Sequence, residues 1–284
     1  MVRPEFVSVP GLVPDAVASA VGYRATGPVM HRGLPSPSLT VVFSLDDPIV
    51  TGLSPEHATG PDAYRNNIIL GGLHTSPAYI AQPRVQAGIQ LAVRPLAART
   101  LFGLPASELR DLTTEGADVL GDAVARMREQ LCELSTWAER FAVLSRYLRA
   151  RCAARQPEPR AEVAEAWKWI ARHRGTGSMT GLAQHVLLSQ RQLTTVFRRE
   201  IGLTPKAVSR LMRFEHARQR IAQTVRSGAL LDLAATAHAC GYFDHSHLVR
   251  DFQQYVGASP TQWLAEERRN IQAGAHQNSE DLGP

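Results

Sequence analysis

The chain has 284 residues, 44% of them hydrophobic, and a formal net charge of +5, which supplies apolar material for roughly two ordinary domains and excludes general disorder. No run approaches the ~18 consecutive apolar residues of a membrane span, and the N-terminus lacks the basic, apolar and small-residue order of a signal peptide, so a cytoplasmic protein is expected. Three scattered cysteines, Cys132, Cys152 and Cys240, are too few and odd in number for a disulfide framework and read as small buried hydrophobes in a reducing compartment.

In chain order, residues 38–45, 67–73 and 85–95 are rich in β-branched and apolar side chains and bounded by Pro, Gly and Asn, which predicts strands. From Thr114 to Leu134 and from Thr136 to Ala154 the period becomes helical: Val119, Ala123, Val124, Met127 and Leu131, then Trp137, Phe141, Leu144 and Leu148 recur at three or four. This apolar stripe suits either the sheet or a second copy of the chain. The run 155–160 holds two prolines and charge but nothing apolar, which stops a helix. The expected layout is a sheet-and-helix domain over 1–155, a linker at 156–161, a helical domain over 162–270 and a disordered tail at 271–284. The expected fold class is an α+β N-terminal domain, a mixed sheet plus a helix pair, followed by an all-α domain.

Charge is uneven between the parts. Residues 160–269 carry 16 Lys/Arg against 9 Asp/Glu, a net of +7, which leaves −2 elsewhere. Within that segment residues 172–226 hold 11 basic and 2 acidic side chains, whereas 227–270 hold 3 and 5. The positive field therefore concentrates in its first half.

The same segment contains an internal repeat. Leu193, Phe197, Gly202 and Pro205 recur as Leu248, Phe252, Gly257 and Pro260, each displaced by 55 residues. Leu and Phe four apart share a helix face, Gly ends the helix in the left-handed region, and Pro opens the next. In the first copy a short helix near residues 181–186 precedes a turn, then Ser189 caps a helix over 190–200, the order of a helix-turn-helix module. Leu193, Val196 and Phe197 face inward; Arg191, Thr194, Thr195 and Arg198 face outward as a donor-rich surface suited to a major groove. Adding 55 gives Ser246, Val249, Arg250 and Gln253, opposite Leu248, Phe252 and Val256, with Asp244 as cap.

Arg191, Thr194, Thr195, His245 and Arg250 are the expected base-reading residues, and Arg172, Arg174, Arg198, Arg199, Arg210 and Arg213 the expected phosphate contacts. Ser189, Gln190, Ser246, Val249 and Gln253 complete the expected DNA surface. Between the copies residues 206–222 predict one helix of about 25 Å, long enough with its modules to set two reading helices about one DNA turn apart.

Other chemistry finds little apparatus. His238, Cys240, His245 and His247 suggest zinc, but Cys240 falls on a core position, and His245 and His247, two apart on a helix, face different directions. His31, His57 and His74 stand alone, and no nucleophile elbow, phosphate loop or dinucleotide fingerprint is present, so no catalytic residue, metal or cofactor is assigned. The rival readings are a small-molecule-binding or metal-dependent enzyme domain joined to a helical module, and a protein-interaction scaffold. Tyr64, His74, Tyr79, Gln90 and Arg94 lie on or beside predicted strands and are the candidate ligand-pocket residues.

Residues 163–267 resemble the DNA-binding domain of AraC/XylS-family transcriptional regulators. The first module carries the resemblance in 182–186 (Leu-Ala-Gln-His-Val), Leu188, Ser189, Leu193, Phe197, Gly202 and Pro205. The second does so in Ala237, Ala239, Cys240, Gly241, Tyr242, Asp244, Ser246, His247, Leu248, Arg250, Phe252, Gly257, Ser259, Pro260 and Trp263. Leu187 departs from it at a turn position where the family often has Gly, and Val249 and Asp251 surround Arg250 with fewer polar or basic groups than usual. The resemblance implies a transcription factor, activator or repressor, with 1–155 as its sensor or dimerisation domain and double-stranded DNA as partner. RNA polymerase, a small-molecule effector and a second copy of the chain are further expected partners, and no enzymatic activity is expected.

Overall fold

The computed structural model describes residues 4–26, 29–109, 112–154 and 157–272. The chain opens with β1 (Glu5–Ser8), β2 (Val17–Thr26), β3 (Val29–Gly33), β4 (Leu39–Ser44) and β5 (Ile49–Gly52). A short helix α1 (Pro55–Thr59), capped by Ser54, leads to β6 (Tyr64–Asn66), β7 (Ile68–Gly71), β8 (Ala78–Gln82) and β9 (Val85–Val93). The three predicted strands are β4, β7 and β9. The others are short or rich in Gly, Arg and Ala, so partner strands rather than composition make them strands.

With β10 (Thr114–Glu115), the strands form an antiparallel six-stranded sheet in the order β1-β2-β9-β4-β7-β10 and a four-stranded sheet in the order β3-β8-β5-β6. Alternation along β4 separates two environments. Leu39, Val41 and Phe43 enter the main core, while Val42 joins Ile49 and Ile69 on the side that faces β5 and β8.

The main core is closed by α2 (Ala98–Phe102), α3 (Gly116–Leu120), α4 (Asp122–Glu133) and α5 (Trp137–Ala153). Val124, Met127, Leu131, Phe141, Leu144 and Leu148 pack with Leu39, Phe43 and Ile89 of the sheet, each large side chain contributing about 2 kcal/mol. Most of the predicted stripe is therefore covered by the sheet within one chain, with Ala123 exposed and Val119 and Trp137 half-buried. The helix predicted from Thr114 begins later. Glu115 accepts from the backbone N–H groups of Asn67, Ile68 and Ala117, which holds Thr114–Glu115 in the sheet, and Gly121 at φ +74° separates α3 from α4. At the predicted junction Thr136 and Glu139 form a capping box that starts α5.

Of the expected linker at 156–161, residues 157–160 are neither helix nor strand, Ala161 opens a helix, and 156 lies outside the described residues. Seven helices follow: α6 (Ala161–Arg172), α7 (Met179–His185), α8 (Gln190–Ile201), α9 (Pro205–Arg226), α10 (Leu233–Ala239), α11 (His245–Val256) and α12 (Pro260–Gln272). Of the expected tail, 273–284 lies outside the described residues, and 271–272 belong to α12. Two apolar cores divide this region. One gathers α6, α7 and α8 with Val208; the other gathers α10, α11 and α12 with Leu211, Phe214, Ala217 and Ile221. The protein is thus an α+β domain followed by an all-α domain, with α9 shared by both helical cores. No helix among the described residues is long and apolar enough to cross a membrane.

Candidate nucleic-acid interface

The first module is built by local rules. Ser189 caps α8 by accepting from Gln192 N, and the Gln192 side chain returns to the Ser189 backbone, a full capping box. Gly202, at φ +91°, ends the helix. Leu193, Phe197 and Ile201 are buried, while Arg191, Thr194, Thr195, Arg198 and Arg199 are exposed. Thr194 and Thr195 donate back to the carbonyls of Gln190 and Arg191, leaving their hydroxyl oxygens free to accept. Gln190 donates to Thr180, and the Ser189 hydroxyl is engaged with Gln192, so both serve the helix start. Among the described residues Arg191, Arg198 and Arg199 enter no ion pair.

The turn before α8 holds Leu187 at φ +56° with 90% of its surface exposed. A left-handed Leu costs about 1–2 kcal/mol, offset in a Gly variant by roughly 0.5–1 kcal/mol of unfolded-chain entropy. Leu187→Gly is therefore expected to raise thermal stability slightly, and Leu187→Val to lower it, in a melting experiment on the full chain.

In the second module Asp244 caps α11 by accepting from His247 N, and Gly257 closes it at φ +73°. His245, Ser246, Arg250 and Gln253 are exposed and Val249 is half-buried, opposite the buried Leu248, Phe252 and Val256. The displacement of 55 holds from the caps onward, but Leu187 and Gly241, the left-handed residues of the two turns, are 54 apart. The second turn has one more residue, and Phe243, beside the Asp244 cap, is 93% exposed.

Asp251, which the sequence places beside Arg250, does not belong to the exposed face of α11. It is completely buried, accepting from Arg210 at 2.6–2.7 Å and from the Tyr242 hydroxyl at 3.0 Å. Burial and the Asp251 charge raise the Tyr242 hydroxyl's pKa well above its ordinary value, so it stays a donor. Burial likewise pushes Tyr255, beneath the Arg210 guanidinium, up to about 12.

The expected phosphate contacts are unequally placed. Arg198 and Arg199 are open, and Arg172 is exposed but bonded to Glu165 at 2.6 Å. Arg174 donates to His216 Nε2, Arg210 holds Asp251, and Arg213 donates to Gly241 O beside the Tyr242 ring. Sequence patterning places Arg210 and Arg213 on one helix stripe but gives no sign of their partners or of Arg174's, which lie 28–42 residues away. Helix α9 has 22 residues, about 33 Å at the α-helical rise and longer than the predicted helix.

The helical domain is bound to the sheet domain. Arg99 forms a fork on Glu200, Nε to Oε1 at 2.7 Å and Nη2 to Oε2 at 2.9 Å, and Ser107 donates to Arg199 O, so the end of α8 is held from the sheet side. Arg32 pairs with Glu266 of α12 at 2.7 Å.

Of the candidate pocket residues, His74 and Gln90 line a cavity of about 140 Å³ between the two sheets, which also includes Gln86, Tyr23, Val42 and Ile69. Tyr64 is exposed beside the His57 ring, Tyr79 lies against Gly257 at the end of α11, and Arg94 lines a different cavity. His74 Nδ1 donates to Ser76 O at 2.6 Å and burial lowers the ring's pKa, which keeps it neutral with Nε2 as acceptor. Gln86 Nε2 is a buried donor without a protein partner. Sequence reasoning missed Glu200 and the role of Asp251 because each acts through a residue distant in the chain, and Gln86 because only the packing of the two sheets encloses the cavity it lines.

Residues 182–266 match the helix-turn-helix domain family. The chain is 33% identical over 99 residues to the melibiose operon regulatory proteins of Escherichia coli K12 and of Escherichia coli O6:H1 strain CFT073, a match covering 34% of this chain and 31% of each relative. An apo ToxT variant from Vibrio cholerae strain SCE256 aligns with a TM-score of 0.50 over 87% of this chain and 97% of its own, at 7% identity, a likeness of fold alone. Residues 182–266, in which the capped α8 and α11 pack on a shared α9, are a helix-turn-helix domain of the AraC type.

Proposed function

We propose that this chain is a sequence-specific DNA-binding transcriptional regulator whose α8 and α11 enter successive major grooves of one duplex. The observation that carries the reading is the pair of exposed polar helix faces joined by a helix of about 33 Å, close to the ~34 Å repeat of B-DNA. Arg191, Thr194 and Thr195 of α8 and His245 and Arg250 of α11 read bases; Arg198 and Arg199, with Arg172, hold phosphates. Arg210 and Arg213 act from behind, fixing α11 and its turn. Both curated relatives are named as operon regulators, which supports the same role here.

The cavity between the sheets suits a small effector with one polar end. Its volume is close to the ~150 Å³ that accommodates a benzene ring, and Gln86 and His74 offer one donor and one acceptor. RNA polymerase and a second copy of the chain are proposed as partners on the family resemblance.

Selection of bound sequences from random DNA, followed by titration of the selected site, tests the reading. With about three phosphates contacted, log affinity is expected to fall with log salt at a slope of about −3. Arg191→Ala is expected to relax preference at one base step, at a cost of about 1–3 kcal/mol, while leaving preference at the α11 half unchanged. Binding that is sequence-blind, or unaltered by Arg191→Ala and Arg250→Ala together, would refute it.

A further inference from the structure

A larger cavity, of about 560 Å³, opens between the two domains and has no part in base reading. Its wall takes Arg94 from the corner after β9, Trp167 from α6, Arg174 from the turn that follows α6, and His216 and Arg220 from α9. The three guanidiniums enter no ion pair among the described residues. The carboxylate of the lining, Glu215, is already neutralised: the buried Arg218 donates to both its oxygens at 2.9 Å. Three positive charges thus share one concave site without a counter-charge, and a cleft of that kind concentrates anions.

His216 reports the same field. Arg174 Nη1 donates to its Nε2 at 3.1 Å, and since a guanidinium only donates, Nε2 is unprotonated and the hydrogen sits on Nδ1. Burial, followed by the Arg174 and Arg220 charges, lowers its pKa and keeps the ring neutral. Nδ1 is buried and finds no acceptor in the protein. The lining therefore presents guanidinium forks, the groups that recognise phosphate oxygens. Trp167 adds an aromatic surface, and its ring stacks on Phe197 of α8, centroids 6.3 Å apart at 15°, so the cavity wall continues into the core beneath the first reading helix.

We propose that this interdomain cleft binds a small organic phosphate carrying at least two negative charges, with its phosphates on Arg94, Arg174 and Arg220 and its organic portion against Trp167. The volume lies within the ~300–1,000 Å³ of ordinary small-ligand sites. Because Arg94 belongs to the sheet domain and Arg174 and Arg220 to the helical domain, occupancy stabilises the docked arrangement of the two, through contacts separate from the cavity between the sheets.

The test uses the full chain and two probes, inorganic pyrophosphate and ADP, titrated by calorimetry and by melting temperature, with sodium chloride at matched ionic strength as control. Saturable binding is expected, with a rise in melting temperature that follows ligand concentration. Arg94→Gln and Arg220→Gln, both exposed positions, should each weaken binding by about tenfold or more, whereas Arg250→Ala leaves it unchanged. ADP binding more tightly than pyrophosphate supports the role of Trp167, and Trp167→Leu then removes the difference. The proposal is overturned if neither probe saturates, or if both Gln variants bind the probes like the parent. It is also overturned if those variants instead reduce the salt slope of DNA binding by about one each, since the arginines would then be contacts to duplex phosphates.

Discussion

Asp251→Ala is expected to destabilise the helical domain by about 3 kcal/mol, the low end of the 3–5 kcal/mol found when one partner of a buried pair is removed. Three elements converge on this carboxylate: α11, which carries it; α9, through Arg210; and the turn before α11, through Tyr242. Its removal strips Arg210 of its partner and leaves the buried Tyr242 hydroxyl without an acceptor, which alone costs about 1–3 kcal/mol. The Arg210 side chain is 35% exposed and can turn toward water, which is why the upper end of the range is not reached. For a region of this size the loss corresponds to a fall in melting temperature of roughly 10 °C or more. Asp251→Asn, which keeps an acceptor for Tyr242 but not the charge, should fall between. A melting temperature for Asp251→Ala within a degree of the parent would contradict the role assigned to the residue.

Gly175→Ala is expected to cost about 2–5 kcal/mol. The residue sits at φ +72°, where an L side chain loses about 1–2 kcal/mol, and an added Cβ would lie 1.9 Å from Ser209 O and 2.8 Å from Ser209 C. Both atoms are backbone of α9, so nothing can rotate away; α6 and α9 must separate, and overpacking of that kind costs a further 1–3 kcal/mol or so. Gly228→Ala supplies the control. Its φ is +70° but nothing lies within 4 Å of the new Cβ, so only the conformational cost of about 1–2 kcal/mol applies. Equal losses in urea unfolding of the two variants would show that close approach of α6 to α9 is not what Gly175 provides. Because Trp167 and Arg174 flank this contact, Gly175→Ala should also weaken anion binding in the interdomain cleft.

The two modules were legible in the sequence because everything that builds them is local. A Leu and Phe four apart, a Ser or Asp cap, a left-handed Gly and a following Pro act within a few residues, so their order alone predicts α8 and α11 and which side of each faces outward. The strands β4, β7 and β9 were equally plain, since buried strands must be apolar. By contrast β3 and β6 have little strand character of their own and exist through their partners. Thr114–Glu115 continued a helical pattern but was captured by β7, through pairings of Thr114 with Leu70 and Glu115 with Ile69 that periodicity cannot register.

Charge shows the same division. Counting residues locates the positive field in 172–226, and helical spacing puts Arg210, Arg213 and Arg220 along α9. Composition has no information about distance between remote residues, so it cannot tell a cation free for DNA from one tied to Asp251 or facing Arg94 across a cleft. That assignment came only with the packing of α9 against two cores and the docking of the sheet domain, where Coulomb energies falling with separation decide which charges are neutralised and which stay open.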